Sequence, residues 1–314
     1  MKDRCLATVK AFLEEHAADG PLVLAVSGGP DSMALLELMR AAQQFFELDL
    51  HIAHVDHGLR EESAEEAGQL AKLGLPFHTI RLGRPQGNIE EWCREQRYAF
   101  FGEVVKELGA QALVTAHHLG DVAETVLKRT LEGARLDKLG GLKPCSKLYG
   151  MPVWRPLLGL RKEELATWLK KRAFDDSMNH DCHYLRARMR KEIMPSLEQQ
   201  FGKSIDRTLG RVATRSHDLS DYLDRKIKPY LDAFDGQIDF GPFFPLEKVE
   251  VLHFLHTLAN RNGESLTFEQ GEVLYKLLQT KAYKKEVALG SYRFACHGGR
   301  LCVDKIEKLC YASI

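Results

Sequence analysis

The first half of the chain alternates short apolar runs with longer segments in which apolar residues recur at helical spacing. Residues 22–26 form an apolar run typical of a buried strand, and from Ser32 onward Met33, Leu36 and Met39 lie on one face of a predicted helix. The same alternation continues to residue 131. It predicts further strands at residues 48–55, 77–82 and 112–116, and helices at 61–73, 89–108 and 121–131.

Strands that alternate with helices of this length predict an α/β fold with a doubly wound parallel sheet, because parallel strands need helical crossovers. Ligands of such sheets bind beyond the carboxyl ends of the strands. The segments that follow three of these strand ends, residues 27–32, 54–60 and 117–124, are polar. We therefore expect them to converge on one crevice, which is the predicted active site.

After residue 158 the pattern becomes mainly helical, which predicts a second domain. Strand-like alternation returns only near the C-terminus, where residues 286–303 predict a small hairpin after a Gly/Pro/Phe-rich connection at 236–245. The predicted helices cover residues 161–172, 185–197, 203–231, 246–260 and 267–279. We predict a catalytic domain over residues 1–215 and a mainly helical C-terminal domain over residues 216–314.

Composition limits the partners of the chain. Among 314 residues, 44 Lys and Arg balance 44 Asp and Glu, so an anionic partner must be held by local basic clusters. The seven cysteines are scattered without a C-x-x-C pair, which argues against a disulfide framework or a structural zinc site. Since neither a signal peptide nor an apolar run of about 18 residues is found, we expect a soluble cytoplasmic protein without a membrane partner.

The segment between the first predicted strand and helix has the composition of a phosphate-binding loop. Its backbone N–H groups and the following helix N-terminus can face an anion, and two glycines allow close approach. Asp31 would repel a bare phosphate unless it caps the helix or holds a Mg²⁺ ion that bridges phosphate oxygens. The alternative is an ordinary Gly-Pro turn with Asp31 or Ser32 as helix N-cap. The predicted binding residues are Ser27, Gly28, Gly29, Pro30, Asp31 and Ser32.

A basic stripe is predicted near the end of the first domain. Residues 186–215 contain eight basic and three acidic residues, and four of the basic residues recur every fourth position, opposite Ile205, Leu209 and Val212. A helix that follows an RNA backbone explains this pattern, and a solvated surface helix is the alternative. The predicted RNA contacts are Arg188, Arg190, Lys203, Arg207, Arg211 and Arg215.

The Ser-Gly-Gly-Pro-Asp-Ser loop resembles the S-G-G-x-D-S loop of PP-loop ATP pyrophosphatases, which have the adenine nucleotide alpha hydrolase-like fold and cleave ATP between its α- and β-phosphates. The motifs at residues 54–60, 94–98, 115–125, 155–158 and 186–190 are similar to those of bacterial tRNA(Ile)-lysidine synthetases. This resemblance implies that ATP and Mg²⁺ are used to join free L-lysine to C2 of the wobble cytidine in the CAU-anticodon isoleucine tRNA. The route implied passes through an adenylated cytidine.

The resemblance also implies roles for individual residues. Arg97 and Arg186 would neutralise phosphate charge, and Asp121 with Glu124 would hold the lysine ammonium, the alternative for these two being first-turn acids that oppose the helix dipole. A nearby histidine, His57 or His118, would take the proton. Gly120 and Ala187 depart from the family pattern of paired aspartates and Arg-Asn. The predicted catalytic residues are Asp31, Asp56, His57, Arg97, Asp121, Glu124 and Arg186.

Several alternatives remain open at this point. His117 and His118 beside Asp121, or His54 with Asp56 and His57, would suit a transition metal, although no H-E-x-x-H helix or cysteine cluster accompanies them. A PP-loop enzyme that thiolates tRNA would need cysteines that carry sulfur. A non-catalytic protein that binds nucleotide and RNA is the third alternative. The sequence is compatible with a homodimer but does not determine the oligomeric state.

Overall fold

A computed structural model describes residues 2–56, 63–83, 87–169, 188–239, 246–283 and 285–305. The predicted site residues His57 and Arg186 lie outside these ranges, as does Ala187. The chain forms two compact units, Met1–His217 and Asp218–Ile314. The boundary predicted after residue 215 lies two residues before this division.

The first unit is built on a six-stranded sheet in which five strands are parallel. The strand order is β3-β2-β1-β4-β6-β5, and only β5 runs antiparallel, to β6. This confirms the predicted α/β fold. The strands are β1 Pro21–Ala25, β2 Asp49–Asp56, β3 Phe77–Arg81, β4 Ala112–Val114, β5 Cys145–Leu148 and β6 Met151–Trp154. The β5–β6 hairpin was not predicted, because both strands are short and contain Lys147 and Pro152.

Helices cover both faces of this sheet, as its doubly wound topology requires. The helices that begin in the first unit are, in order, α1 Lys2–His16, α2 Pro30–Ala42, α3 Ser63–Ala71, α4 Ile89–Leu108, α5 Leu119–Leu131, α6 Lys162–Leu169, α7 Met194–Phe201 and α8 Ile205–Asp232, the last of which continues into the second unit. A π-helical turn, Met189–Ile193, precedes α7. No helix within the described ranges is long and apolar enough to cross a membrane.

Alternate residues of β1 enter different hydrophobic clusters, which shows why the strand is apolar throughout. Leu22 and Leu24 pack in one cluster with α1, α2 and α6, whereas Val23 packs in another with Tyr98 and Phe101 of α4. All three β1 residues are fully buried. Since side chains of a strand point alternately to opposite faces, both faces of the sheet are covered and the strand ends become its accessible parts.

The second unit combines helices with a four-stranded antiparallel sheet of order β7-β10-β9-β8. Its elements after α8 are β7 Gln237–Asp239, α9 Lys248–Arg261, α10 Phe268–Gln279, β8 Lys285–Leu289, β9 Tyr292–His297 and β10 Arg300–Lys305. The core contains Phe254 and Phe294, both fully buried. The region is helical as predicted, but the terminal hairpin is part of a larger sheet. The three-residue β7 lies in the segment predicted as a connection.

Candidate active site

The order of the strands brings polar segments to one edge of the sheet. Strand β1 pairs with β2 on one side and with β4 on the other, all in parallel. The residues that follow these strands therefore meet at the same edge. They include Asp31 after β1, Asp56 at the end of β2 and His118 after β4. The topology thus creates the crevice that the strand ends predict.

The phosphate loop is held in shape by its own serines. The Ser32 hydroxyl donates to the Gly29 carbonyl at 2.9 Å and accepts from the Ser27 N–H at 3.2 Å, while the Ser27 hydroxyl accepts from the Gly29 N–H at 3.3 Å. Gly28 has φ +89°, a conformation that favours glycine. Gly29 is the N-cap of α2 and Pro30 its first residue. The alternative of Asp31 or Ser32 as N-cap is therefore wrong, and the Asp31 carboxylate is directed elsewhere.

His54 of β2 forms a hydrogen bond with the backbone that leads into this loop. Its ring is buried, and Nδ1 lies 2.8 Å from the Val26 carbonyl oxygen, directly before the phosphate loop. Since the carbonyl can only accept, Nδ1 carries the proton of this hydrogen bond. Phe77 of β3 stacks near the ring, with centroids 6.2 Å apart. From the sequence, His54 was expected in the polar segment 54–60 at the active site, or as a metal ligand. The signal of a different role is a polar residue inside an otherwise buried strand.

The Asp31 carboxylate belongs to a cluster of five ionisable side chains, which we call the acidic cluster: Asp31, His118, Asp121, Glu124 and Arg190. Asp31 Oδ2 lies 3.5 Å from His118 Nε2, and the latter lies 3.8 Å from Asp121 Oδ2. Arg190 Nη2 donates to Asp121 Oδ1 at 2.6 Å, and Arg190 Nε donates to Glu124 Oε1. Glu124 and His118 are buried. The cluster thus joins the phosphate loop to the first turn of α5.

Arg190 was predicted to contact RNA. In the structure its guanidinium forms ion pairs with two carboxylates, those of Asp121 and Glu124. The side chain is 35% exposed, so it is anchored in the cluster while part of it faces solvent. It lies in the π-helical turn before α7, far along the chain from α5. A contact of Arg190 with RNA stays a prediction, and any such contact would be made by a residue that also holds both acids.

The His118 ring has defined partners on both nitrogens. Nδ1 accepts the Gly120 N–H at 3.0 Å and Nε2 faces Asp31, so the neutral ring carries its proton on Nε2. Burial acts to lower the pKa of His118, but the hydrogen bond with Asp31 and the charges of Asp121 and Asp31 outweigh it and raise the pKa. Burial acts to raise the pKa of Asp31, and contact with His118 overcomes it, so this pKa is lowered.

The charge of the acidic cluster suits a cationic ligand. Three carboxylates face one guanidinium, so the formal charge is −2 with neutral His118 and −1 with protonated His118. Uncompensated negative charge in a partly buried site costs free energy that a bound cation relieves. The net negative charge of the cluster therefore suits an ammonium group beside the phosphate loop.

Gly120 determines how His118 is placed. A Cβ atom at this position would lie 2.7 Å from His118 Cε1 and 3.1 Å from Nδ1. The ring can fold over the N-terminus of α5 only because residue 120 lacks a side chain. The departure from the paired aspartates of the resemblance thus removes one carboxylate, but it gives the histidine room to cap the helix and reach Asp31.

Two other predicted catalytic residues have contacts outside the acidic cluster. Asp56 is buried at the end of β2, and its Oδ2 lies 3.5 Å from Arg81 Nε. The guanidinium carbon of Arg97, on α4, lies 5.7 Å from the centroid of the Tyr98 ring. The roles predicted for these residues, and for His57 and Arg186 outside the described ranges, stay predictions.

Comparisons with known proteins identify the domain and the family of the chain. The PP-loop domain family matches residues 1–197. The tRNA(Ile)-lysidine synthase of Protochlamydia amoebophila is 40% identical over 245 residues, which cover 75% of this chain and 53% of that protein. That of Streptococcus sanguinis is 35% identical over 309 residues, covering 95% of this chain and 68% of that protein. The chain belongs to the tRNA(Ile)-lysidine synthase family.

A solved structure supports the fold of this lysidine synthase family member. The U34-tRNA thiolase NcsA of Methanococcus maripaludis, with its [4Fe-4S] cluster, has a TM-score of 0.56 and 19% identity, and the match covers 69% of this chain and 79% of that one. At this identity only the fold is shared. In the part of the chain that the structure describes, Cys5, Cys93, Cys145, Cys296 and Cys302 are free thiols. Among the same residues, no group of three or more His, Cys, Asp or Glu side chains is arranged so that it could hold a metal ion.

The basic stripe predicted for the family member occupies the exposed side of α8 and the segment before it. Lys203, Arg207, Arg211 and Arg215 are exposed, as is Arg188 before the π-helical turn. On the opposite side, Leu209 and Val212 pack against a cluster that contains Val122 and Ala213. The amphipathic pattern is therefore real. That the stripe binds RNA stays a prediction, since a solvated helix would show the same exposure.

Proposed function

We propose that the protein uses ATP to ligate free L-lysine to C2 of the wobble cytidine of the CAU-anticodon isoleucine tRNA, forming lysidine. Membership of the family and the PP-loop domain support ATP use and a tRNA substrate. The observation that carries the proposal is the contact between the phosphate loop and the acidic cluster, Asp31 to His118 at 3.5 Å. It joins a site for ATP to a site for a cation.

In the first step the cytidine O2 attacks the α-phosphate of ATP, an O–P bond forms and pyrophosphate leaves. The residues act by position and charge. The N–H groups at the start of α2 face the phosphates, braced by Ser27 and Ser32. Arg97 and Arg186 are the predicted partners of phosphate charge.

The residues present fit a Mg²⁺ ion bound mainly through ATP phosphates. Asp31 offers a hard carboxylate oxygen, and its lowered pKa keeps it ionised at neutral pH. Mg²⁺ commonly takes one or two carboxylates and fills its shell with phosphate oxygens and waters. Bound in this way, it would neutralise charge on the leaving pyrophosphate. Asp31 would then contact the Mg²⁺ ion bound to ATP, while Asp121 and Glu124 would contact the lysine ammonium group.

In the second step the lysine ε-amine attacks C2, the C–N bond forms and AMP leaves with the bonding electrons. Lysine arrives as an ammonium ion with a reference pKa of about 10.4, so it must be bound as a cation and then lose a proton. Asp121 and Glu124 bind the cation while Arg190 holds the two carboxylates in place. Of the two histidines predicted to take the proton, His118 already carries one on Nε2 toward Asp31, so His57 is the remaining candidate.

The experiment incubates the protein with ATP, Mg²⁺ and labelled lysine, with either the CAU-anticodon isoleucine tRNA or methionine tRNA. Acid-precipitable label and pyrophosphate are both followed. We expect label on the isoleucine tRNA only. Pyrophosphate release without label would indicate a PP-loop enzyme with another second substrate, and neither signal would favour a non-catalytic nucleotide- and RNA-binding protein.

A further inference from the structure

A pocket outside the acidic cluster opens in the first unit. Its volume is about 440 Å³, within the range of pockets that hold small organic ligands. It is lined by the start of α5, the segment after β6, and the part of α8 before residue 218. Its apolar floor includes Val122, Leu158 and Ala213, which belong to one hydrophobic cluster. No catalytic or binding role has so far been given to this pocket.

The rim of the pocket is basic. Arg4, Arg161, Arg207 and Arg211 line it together with a single carboxylate, Glu164. Glu164 is already engaged, because Arg4 Nη1 lies 2.5 Å from its Oε1 and Arg161 Nε lies 3.7 Å from its Oε2. Two arginines therefore face that acid, and the other two add positive charge to the rim.

Arg207 and Arg211 are free to contact a ligand. Arg211 Nη2 lies 3.3 Å from the Thr208 hydroxyl, and within the described ranges no carboxylate forms an ion pair with either guanidinium. Both side chains are exposed at the mouth of the pocket. They belong to the basic stripe with Lys203 and Arg215, yet those two do not line the pocket. Two residues of the stripe therefore line the pocket, and the other two lie outside it.

The pocket and the acidic cluster both include residues of α5. Leu119 and Val122 line it, and they flank Gly120 and Asp121 on the first turn of α5. Leu119 and Val122, three positions apart, share one face of α5, whereas Asp121 and Glu124 share another. An RNA chain that places its target cytidine between the phosphate loop and the acidic cluster could reach the pocket with a neighbouring nucleotide.

We propose that this pocket binds a nucleotide of the tRNA adjacent to the target cytidine, with its base on the apolar floor and its phosphate at Arg207 and Arg211. The proposal rests on the proposed function. An apolar floor suits the face of an unstacked base, and a basic rim suits its phosphate; single-stranded RNA is recognised in this way. A free phosphate would leave the floor uncovered, and a cationic ligand would be repelled by the rim.

The test measures binding of the full chain to isoleucine tRNA transcripts that are intact or carry one abasic site on either side of the target cytidine. Arg211→Ala removes a rim cation, and Arg215→Ala is the matched control on the same helix, outside the pocket. Thr214→Trp fills the pocket from its exposed rim without a change of charge. Circular dichroism and thermal unfolding confirm that each variant is folded.

For intact tRNA we expect Arg211→Ala and Thr214→Trp each to weaken binding about tenfold, the equivalent of about 1.4 kcal/mol. With the abasic site at the position that occupies the pocket, Thr214→Trp should have no further effect. Arg215→Ala should weaken binding to the intact tRNA and to the abasic tRNAs by the same factor. Each Arg→Ala variant should lower the magnitude of the salt slope by about 0.7 to 0.9, whereas Thr214→Trp should not change it.

Equal effects of Thr214→Trp on intact RNA and on both abasic RNAs would overturn the proposal. So would tight binding of free AMP that Thr214→Trp abolishes while tRNA binding is retained, since the pocket would then take a free nucleotide. Lysine incorporation is measured in parallel with the unmodified protein. Its absence together with the expected coupling would refute the proposed function and leave the pocket assignment standing.

Discussion

His118 and Asp31 face each other across the ends of two neighbouring parallel strands, with Nε2 of the histidine 3.5 Å from Oδ2 of the aspartate. Asp31 follows β1 in the phosphate loop, and His118 is the N-cap of α5 after β4. This pair joins the region that would hold ATP to the region that would hold lysine. Its protonation can therefore affect both steps of the reaction.

The pKa of His118 provides the first prediction. Because Asp31 and Asp121 raise it, an NMR titration should give a value above the usual 6.5, and Asp31→Asn should lower it. Since the folded-state pKa is raised, His118 contributes stability that is fully present below the unfolded pKa and is lost as pH rises through the folded pKa. The stability difference between wild type and His118→Asn should therefore shrink across that window. A titration at or below 6.5 would contradict the prediction.

Substitution of the two aspartates should separate the two chemical steps. Asp31→Ala removes the carboxylate beside the phosphates and should abolish pyrophosphate release. Asp121→Asn keeps an oxygen that can accept the His118 N–H, now at 2.8 Å, so α5 should still be capped. It should spare adenylation and reduce lysine incorporation roughly 100-fold, the scale for loss of a charged contact in a preorganised site. Normal lysine incorporation by Asp121→Asn would disprove this division of roles.

Gly120→Ala should disturb the site without a change of charge. The new Cβ would meet the His118 ring at 2.7 Å, so the ring must leave its position over the α5 N-terminus. Loss of that cap should cost about 1 kcal/mol of stability, and lysine incorporation should fall. Gly102→Ala, on α4 where a Cβ meets nothing within 4 Å, is the control and should be neutral or slightly stabilising. Unchanged activity of Gly120→Ala would show that the position of His118 is not required.

His54→Phe should weaken ATP binding through the phosphate loop. Phenylalanine can keep the stack with Phe77 but cannot donate to the Val26 carbonyl, which now accepts at 2.8 Å. A lost buried hydrogen bond of about 1 kcal/mol corresponds to a rise of roughly fivefold in the KM for ATP. The KM for lysine should stay the same. His51→Phe is the control, since His51 lies in the same strand but its ring contacts His78.

Arg190→Gln tests whether this residue serves the acidic cluster or the RNA. Loss of the guanidinium removes one charged contact from Asp121 and one from the buried Glu124, so we expect lower stability and a lower kcat for lysine incorporation. The salt slope of tRNA binding should be unchanged. If instead tRNA affinity and the salt slope fall while kcat is retained, Arg190 acts as an RNA contact, as the basic run predicts.

Periodicity along the chain was sufficient for β1 to β4, four of the five parallel strands, because strands buried on both faces are apolar throughout and their helices repeat at 3.6 residues. Helix α1 was not predicted, although the spacing of Cys5, Val9 and Leu13 is its signal, and all three are buried. The hairpin of β5 and β6 and the short β7 give weaker signals. Three or four residues are too few to establish a period.

The sequence by itself determined the phosphate loop, the polar strand ends and the basic stripe, since each depends on residues that are close along the chain. The tertiary structure alone decided which of these side chains meet. Arg190 pairs with acids more than sixty positions earlier, as its contacts with Asp121 and Glu124 show, and His54 bonds a carbonyl in a neighbouring strand. Such partners are set by strand order and helix packing, and local patterns contain no information about either.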